Sequence, residues 1–305
     1  MIINTLGRIR NNFYFLGLTC YPIYLLDGPE PVIFDAGISC AGNIYAEAVR
    51  SILGNRQPAK LFLTHVHWDH CGAVSYLKDA FPDLKVAASD RAVEILKRPN
   101  ALALIKKLNE ETASNISSVP DFNSRRLINK TFCPFKVDTI LKDNSIMDLE
   151  EGIKLEILAT PGHTRDHRSY YLRKEKILIV GEAAGQSIGP GMVSTEFVSD
   201  YDAYVSSLQR LLALPVEILC LGHDLVLVGR EEISAFFERS ITATIHFKDR
   251  ILELLDEEGG CEENVIKRVK TKRYDSIPEP KQPEAAYLLN LKAQVANLAA
   301  KKRAI

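Results

Sequence analysis

Short apolar runs alternate with helically spaced segments along the first three quarters of the chain. Residues 21–26 and 31–34 read as two strands around the turn Asp27-Gly28-Pro29. Helical spacing follows over residues 42–53, and 61–64 is a short apolar strand of the kind buried on both faces. Residues 73–81 are predicted helical, stopping before Pro82, and 85–88 returns to strand. Asp90 is placed to cap a helix beginning at Arg91. A further helix is predicted over 99–115, and residues 117–136 are polar and irregular. Strands are then expected at 154–159, 169–172 and 177–180, a helix at 201–214 and a strand at 217–221. Such alternation, run twice, predicts an α/β fold of two sheets sandwiched between helices.

From Arg230 the strand signals stop. Residues 231–257 form one long helical pattern ended by Gly259-Gly260, a shorter helix is expected near 262–269, and a last one spans 284–301 after Pro278, Pro280 and Pro283. The expected division is 1–229 as a catalytic domain and 230–305 as a helical C-terminal region capping the active site.

Composition changes this picture little. The 305 residues are enough for one large core with an appendage. Lys and Arg number 38 against 39 for Asp and Glu, so global charge favours neither nucleic acid nor an anionic membrane. Cys20, Cys40, Cys71, Cys133, Cys220 and Cys261 are scattered without a CxxC pair, which reads as reduced thiols. The N-terminus has no apolar stretch with a cleavage site, and no apolar run is long enough to span a bilayer. A cytoplasmic protein is expected.

The chemistry concentrates in Thr64-His65-Val66-His67-Trp68-Asp69-His70. His65 and His67, two apart after a buried strand, point the same way on an extended backbone. Asp69 and His70 follow where the chain turns into a helix. Imidazole plus carboxylate suits zinc, iron(II) or manganese and disfavours copper(I). Three further strand ends carry a candidate ligand directly after a glycine: Gly162-His163, Gly181-Glu182 and Gly222-His223. Glycine there permits close backbone approach to a crowded site.

The run HVHWDH, followed by PGHT and a later GH, resembles the metallo-β-lactamase superfamily, over roughly residues 10–228. That resemblance implies an αββα sandwich with a dinuclear metal centre. His65, His67 and His163 would hold one ion, Asp69, His70 and His223 the other, and Glu182 would bridge them. Asp35 matches the family's early Asp and would orient a ligand imidazole from behind. One departure is that the family usually has Asp where this chain has Glu182. The extra methylene shifts the carboxylate by more than about 1 Å, which leaves metal identity and bridging open.

Two such ions would share a water and bring its pKa toward about 7, with Asp69 orienting that water and handling its proton. Within the superfamily, Cys71 directly after His70, His167 four residues after His163, and the helical tail most resemble the PqsE-like thioesterases and, more distantly, glyoxalase II. The resemblance implies hydrolysis of an acyl-CoA-like thioester. Phosphodiester or lactone hydrolysis is the alternative, and a regulatory binding protein that keeps its metal site is the alternative of another class. His167 either supports the ligands from behind or polarises a substrate. Cys71 is expected to pack rather than ligate. Ten Lys or Arg against five Asp or Glu over residues 260–305 could attract CoA phosphates, although a solvated helix face explains them more simply. The expected partner is a small, anionic thioester; a homodimer is open, and neither nucleic acid nor membrane is expected.

Overall fold

A computed structural model describes residues 1–116, 127–128, 130–149, 152–277 and 281–303. Its two large sheets each have seven strands. Strand β1 (Ile2–Ile3) begins the chain at the edge of one sheet, and the next strands build the other. That second sheet runs in sequence order: β2 (Gly7–Arg10), β3 (Phe13–Gly17), β4 (Pro22–Leu26), β5 (Val32–Phe34), β6 (Lys60–Phe62), β7 (Lys85–Ser89) and β8 (Thr139–Leu141). It is antiparallel through β5 and parallel from there on. The first sheet gathers β9 (Ile146–Asp148), β10 (Lys154–Ala159), β11 (Arg168–Leu172), β12 (Ile177–Gly181), β15 (Ile218–Leu221) and β16 (Val226–Val228) in the order β1-β16-β15-β12-β11-β10-β9. A separate hairpin, β13 (Gln186–Gly189) with β14 (Met192–Ser194), follows β12.

The period of two along the strands decides which residue enters which layer. Tyr24 and Leu26, Val32 and Phe34, Ile177 and Ile179, and Ile218 and Cys220 meet between the sheets. Their neighbours Ile23, Leu25 and Ile33 face outward onto Tyr45 and Val49 of α1 (Gly42–Leu53) and Leu77 of α3 (Val74–Ala80). On the far side, Leu178, Val180, Leu219 and Leu221 face Tyr204 and Leu208 of α6 (Tyr201–Leu212) and Phe236 and Phe237 of α7 (Arg230–Glu257). This is the αββα sandwich the sequence predicts.

Most predicted elements recur within a residue or two, α1 at its predicted limits. The first residues differ, since β1 to β3 were not foreseen. Strand β2 lies at a sheet edge, where Arg8 and Arg10 break the apolar pattern that marks inner strands. The cap of α4 (Asp90–Leu96) is also corrected: Ser89, extended at ψ 162°, accepts the Ala92 N–H through its hydroxyl, and Asp90 is the first helical residue. Short α2 (Trp68–Cys71) and long α5 (Pro99–Ile116) complete this half. Of the stretch foreseen as irregular, residues 117–126 and 129 lie outside the described residues, and the described part of 127–136 is neither helix nor strand.

Beyond β16, the described residues are helical or connecting: α7, α8 (Glu262–Lys270) with a π turn at Thr271–Asp275, and α9 (Glu284–Arg303). Leu291, Val295 and Leu298 of α9 join the same outer core as α6 and α7. Among the described residues, no helix is long and apolar enough to cross a membrane. Several cations of the tail have acidic partners outside it. Arg268 pairs with Glu257 and Glu258, Lys301 with Asp202, and Lys302 with Asp256. These are solvated surface pairs, which contribute little each. Glu279, Pro278 and Pro280 lie outside the described residues.

Candidate metal centre

Parallel pairing aligns the ends of β5 and β6, and the site grows from that edge. Asp35 leaves β5 with a left-handed backbone (φ 60°), which Asp tolerates better than most residues. Its carboxylate accepts the Thr64 N–H at 2.8 Å and lies 2.9 Å from His70 Nδ1. The Thr64 hydroxyl lies 2.9 and 3.0 Å from the two Asp35 oxygens and 3.0 Å from His65 Nδ1. Asp166 accepts the Val66 N–H at 2.9 Å, fixing the residue between His65 and His67. The turn bearing the first four donors is thus held from beneath at three points.

The other donors arrive from β10, β12 and β15. Two glycines show how tight the convergence is. A Cβ on Gly162 (φ +129°) would lie 2.3 Å from the Tyr204 Cα, and one on Gly222 would lie 2.5 Å from Glu182 Oε1. Only a residue without a side chain fits either place.

All seven foreseen ligands meet. Ligand atoms of His65, His67 and His163 lie within 4.8 Å of one another, and so do those of Asp69, His70 and His223. Glu182 stands between the two groups. Its Oε2 is 3.6 Å from His65 Nε2 and 3.9 Å from His163 Nε2, while its Oε1 is 2.7 Å from His70 Nε2 and 2.8 Å from His223 Nε2. His223 Nε2 is also 3.6 Å from Asp69 Oδ2. The longer side chain therefore reaches both groups, one oxygen toward each.

The imidazoles are oriented from behind. His163 Nδ1 donates to the Glu196 carbonyl at 2.5 Å, and His223 Nδ1 to the Cys20 carbonyl at 2.6 Å. A carbonyl only accepts, so each Nδ1 carries a proton and each Nε2 faces the centre. Burial pushes His67 and His163 down to about 4, which keeps both neutral at pH 7. His223 is raised to about 9; burial opposes its charge, but the Glu182 and Asp69 carboxylates outweigh burial.

His65 Nε2, His70 Nε2 and both Glu182 oxygens are buried, and their mutual contacts, though as short as 2.7 Å, lack the direction of hydrogen bonds. Unsatisfied buried polar atoms are costly, and four facing one another are what a cation would satisfy. The residues fit one or two divalent ions.

His167 is fully enclosed. Its ring stacks on His65 at 5.0 Å, Nδ1 lies 2.9 Å from the Thr160 hydroxyl, and Nε2 is unpartnered within 4.8 Å of ligand atoms of His65 and Glu182. His65, His167 and Glu182 thus form a third group of donors beside the two that were foreseen. Cys71 is buried in the core under α1 and contributes to none of these groups.

Sequence reasoning missed the Cys20 and Glu196 carbonyls, Thr64, Asp166 and Tyr21. Backbone carbonyls leave no trace in a sequence. Asp166 was visible between two assigned histidines. Tyr21, edge-on to Trp68 at 5.5 Å and to His223 at 5.9 Å, showed only as a strand residue.

Donors of this kind, carried on the loops at one edge of a two-sheet sandwich, define a class of proteins able to hold cations there. The chain belongs to the metallo-β-lactamase superfamily, whose sequence model matches residues 20–223. It is similar to a beta-lactamase-like protein 2 homolog of Caenorhabditis elegans, 27% identical over 71% of this chain and 56% of that one. It is 24% identical to an atrochrysone carboxyl ACP thioesterase of Aspergillus fumigatus over 76% of this chain and 58% of the relative. The chain thus spans little more than half the length of these two. A hydroxyacylglutathione hydrolase, GloC, of Haemophilus influenzae is 30% identical over 59% of this chain and 76% of its own. Among solved structures, an archaeal superfamily protein from Sulfolobus tokodaii shares the fold with a TM-score of 0.59 at 19% identity, over 96% of this chain and all of that one.

Proposed function

We propose that the protein is a metal-dependent hydrolase with two divalent cations that cleaves a thioester. The observation that carries this reading is the Glu182 carboxylate, which turns one oxygen to each ligand group. Ions held there by His65, His67 and His163 and by Asp69, His70 and His223 would acidify water near neutral pH and polarise a carbonyl. Around them the chain supplies the rest. Asp69, partly open to solvent, orients the attacking water and takes its proton at Oδ2. Tyr21, part-exposed beside His223 and backed by the buried Trp68, offers an aromatic edge suited to an apolar acyl group. Thr64, Asp35 and Asp166 keep the ligand turn from relaxing. Helices α7 to α9 cover the outer face beyond β12 and limit the substrate's approach.

The thioester is favoured by the relatives: a thioesterase and a hydroxyacylglutathione hydrolase are among the proteins this chain is similar to. The carrier is expected to be anionic, of the CoA or glutathione kind. Protein purified without chelator is expected to carry close to two equivalents of zinc, iron or manganese, measured by elemental analysis; a metal content near zero sinks the reading. On a panel of acyl-CoA, glutathione thioester, lactone and aryl phosphodiester substrates, thioesters should turn over fastest. His65→Ala should lower that rate by about a hundredfold or more, as loss of a group aimed at the reacting centre does. Turnover untouched by that substitution removes the assignment.

A further inference from the structure

The segment 195–200, between β14 and α6, crosses the turn that carries His163. Glu196 O is the partner of His163 Nδ1 at 2.5 Å. The Gly162 carbonyl accepts from the backbone N–H groups of Val198, Ser199 and Asp200 at 3.0, 2.9 and 3.2 Å, and from the Ser199 hydroxyl at 3.1 Å. The position and ring orientation of His163 therefore depend on where this strap lies.

The strap in turn is held by the C-terminal helices. On α9, Gln294 Nε2 donates to the Thr195 carbonyl at 3.4 Å and Asn297 Nδ2 to the Ser199 carbonyl at 3.2 Å, while Asn297 Oδ1 accepts the Tyr201 N–H at 3.2 Å. On α7, the buried Thr244 hydroxyl lies 2.8 Å from that of Thr195. Phe197, wholly buried, packs against Phe247 of α7 with ring centroids 5.9 Å apart. Among the described residues, no hydrogen bond ties Asp69, His70 or His223 to α7 or α9. His70 leans on Asp35 and His223 on the Cys20 carbonyl, both in the N-terminal half.

We propose that Gln294 and Asn297 are positioning residues for His163, so that helix α9 sets the affinity of the His65/His67/His163 position and not that of the Asp69/His70/His223 position. The inference rests on the two-cation reading above. The two positions have separate supports, and only one of those supports runs through the helical region.

Titration of metal-free protein with cobalt(II), followed by absorbance and calorimetry, tests it. In the Gln294→Ala/Asn297→Ala protein, one of two binding events should weaken by about tenfold or more, the scale on which outer partners of ligand imidazoles act. The other event should keep its affinity. His163→Ala should abolish the event that the double variant weakens. Asn297→Asp, which keeps the acceptor for Tyr201 and loses the donor to Ser199, is the milder variant should the double one unfold, and it should weaken the same event. Two events of wild-type strength in a folded variant, or equal weakening of both, overturn the inference and leave the two-cation reading standing. A wild-type protein that binds no cobalt overturns both.

Discussion

Between the sheets, Phe34, Phe62 and Tyr170 pack with ring centroids 5.4–5.5 Å apart. At the strand ends a few residues away, imidazoles crowd at 4.3–5.3 Å. The first place is closed to water and the second opens to it only at Asp69, His67 and His223; both are built by the same alternation along β5, β6 and β12. In the first, the rings find apolar neighbours, the Tyr170 hydroxyl donates to the Leu63 carbonyl, and burial stabilises. In the second, histidines, carboxylates and unpartnered Nε2 atoms face one another, and burial alone costs free energy. The difference teaches that the sandwich carries the site. Its aromatic layer supplies the stability that lets a polar cluster persist until a cation balances it.

The sharpest way to break that comparison is to remove part of the aromatic layer. Phe62→Ala should destabilise the fold by about 3–5 kcal/mol, read from the urea midpoint, and a loss under 1 kcal/mol would mean the layer is not the support. Next in size is the site itself. Restoring divalent cation to chelated protein, at about a hundredfold its dissociation constant, should add about 2.7 kcal/mol, seen as a rise of several degrees in thermal midpoint. A midpoint indifferent to metal would show that the folded protein holds no cation there more tightly than the unfolded chain does. Smallest is the surface. Arg250→Ala removes exposed pairs with Glu253 and Glu257 on α7 and should leave the midpoint unchanged within error.

How much could be read from residues alone follows from how each part is specified. The turn at 64–70 was legible because four donors sit side by side. His163, Glu182 and His223 were legible because the same strand, glycine and donor order recurs three times. Inner strands announced themselves through runs such as Ile177 to Val180. Edge strands did not: β2 is polar, and β8 and β9 have three residues each. The Ser89 cap was missed because Asp90, one residue on, is an equally good capping type. The strap over His163 could not be read at all, since its bonds are made mostly by backbone atoms, whose partners depend on the fold and not on side-chain identity.

Asp35 has a consequence of its own for how this chain can change. Its backbone sits in a region that most side chains avoid, and its carboxylate serves Thr64 and His70 together. Glycine would accept the backbone and leave the imidazole unsupported. Larger acids would supply the charge and strain the turn. Asparagine alone keeps the conformation and some of the hydrogen bonding. Position 35 thus offers drift a single narrow exit, and any lineage taking it would carry a weakened grip on His70.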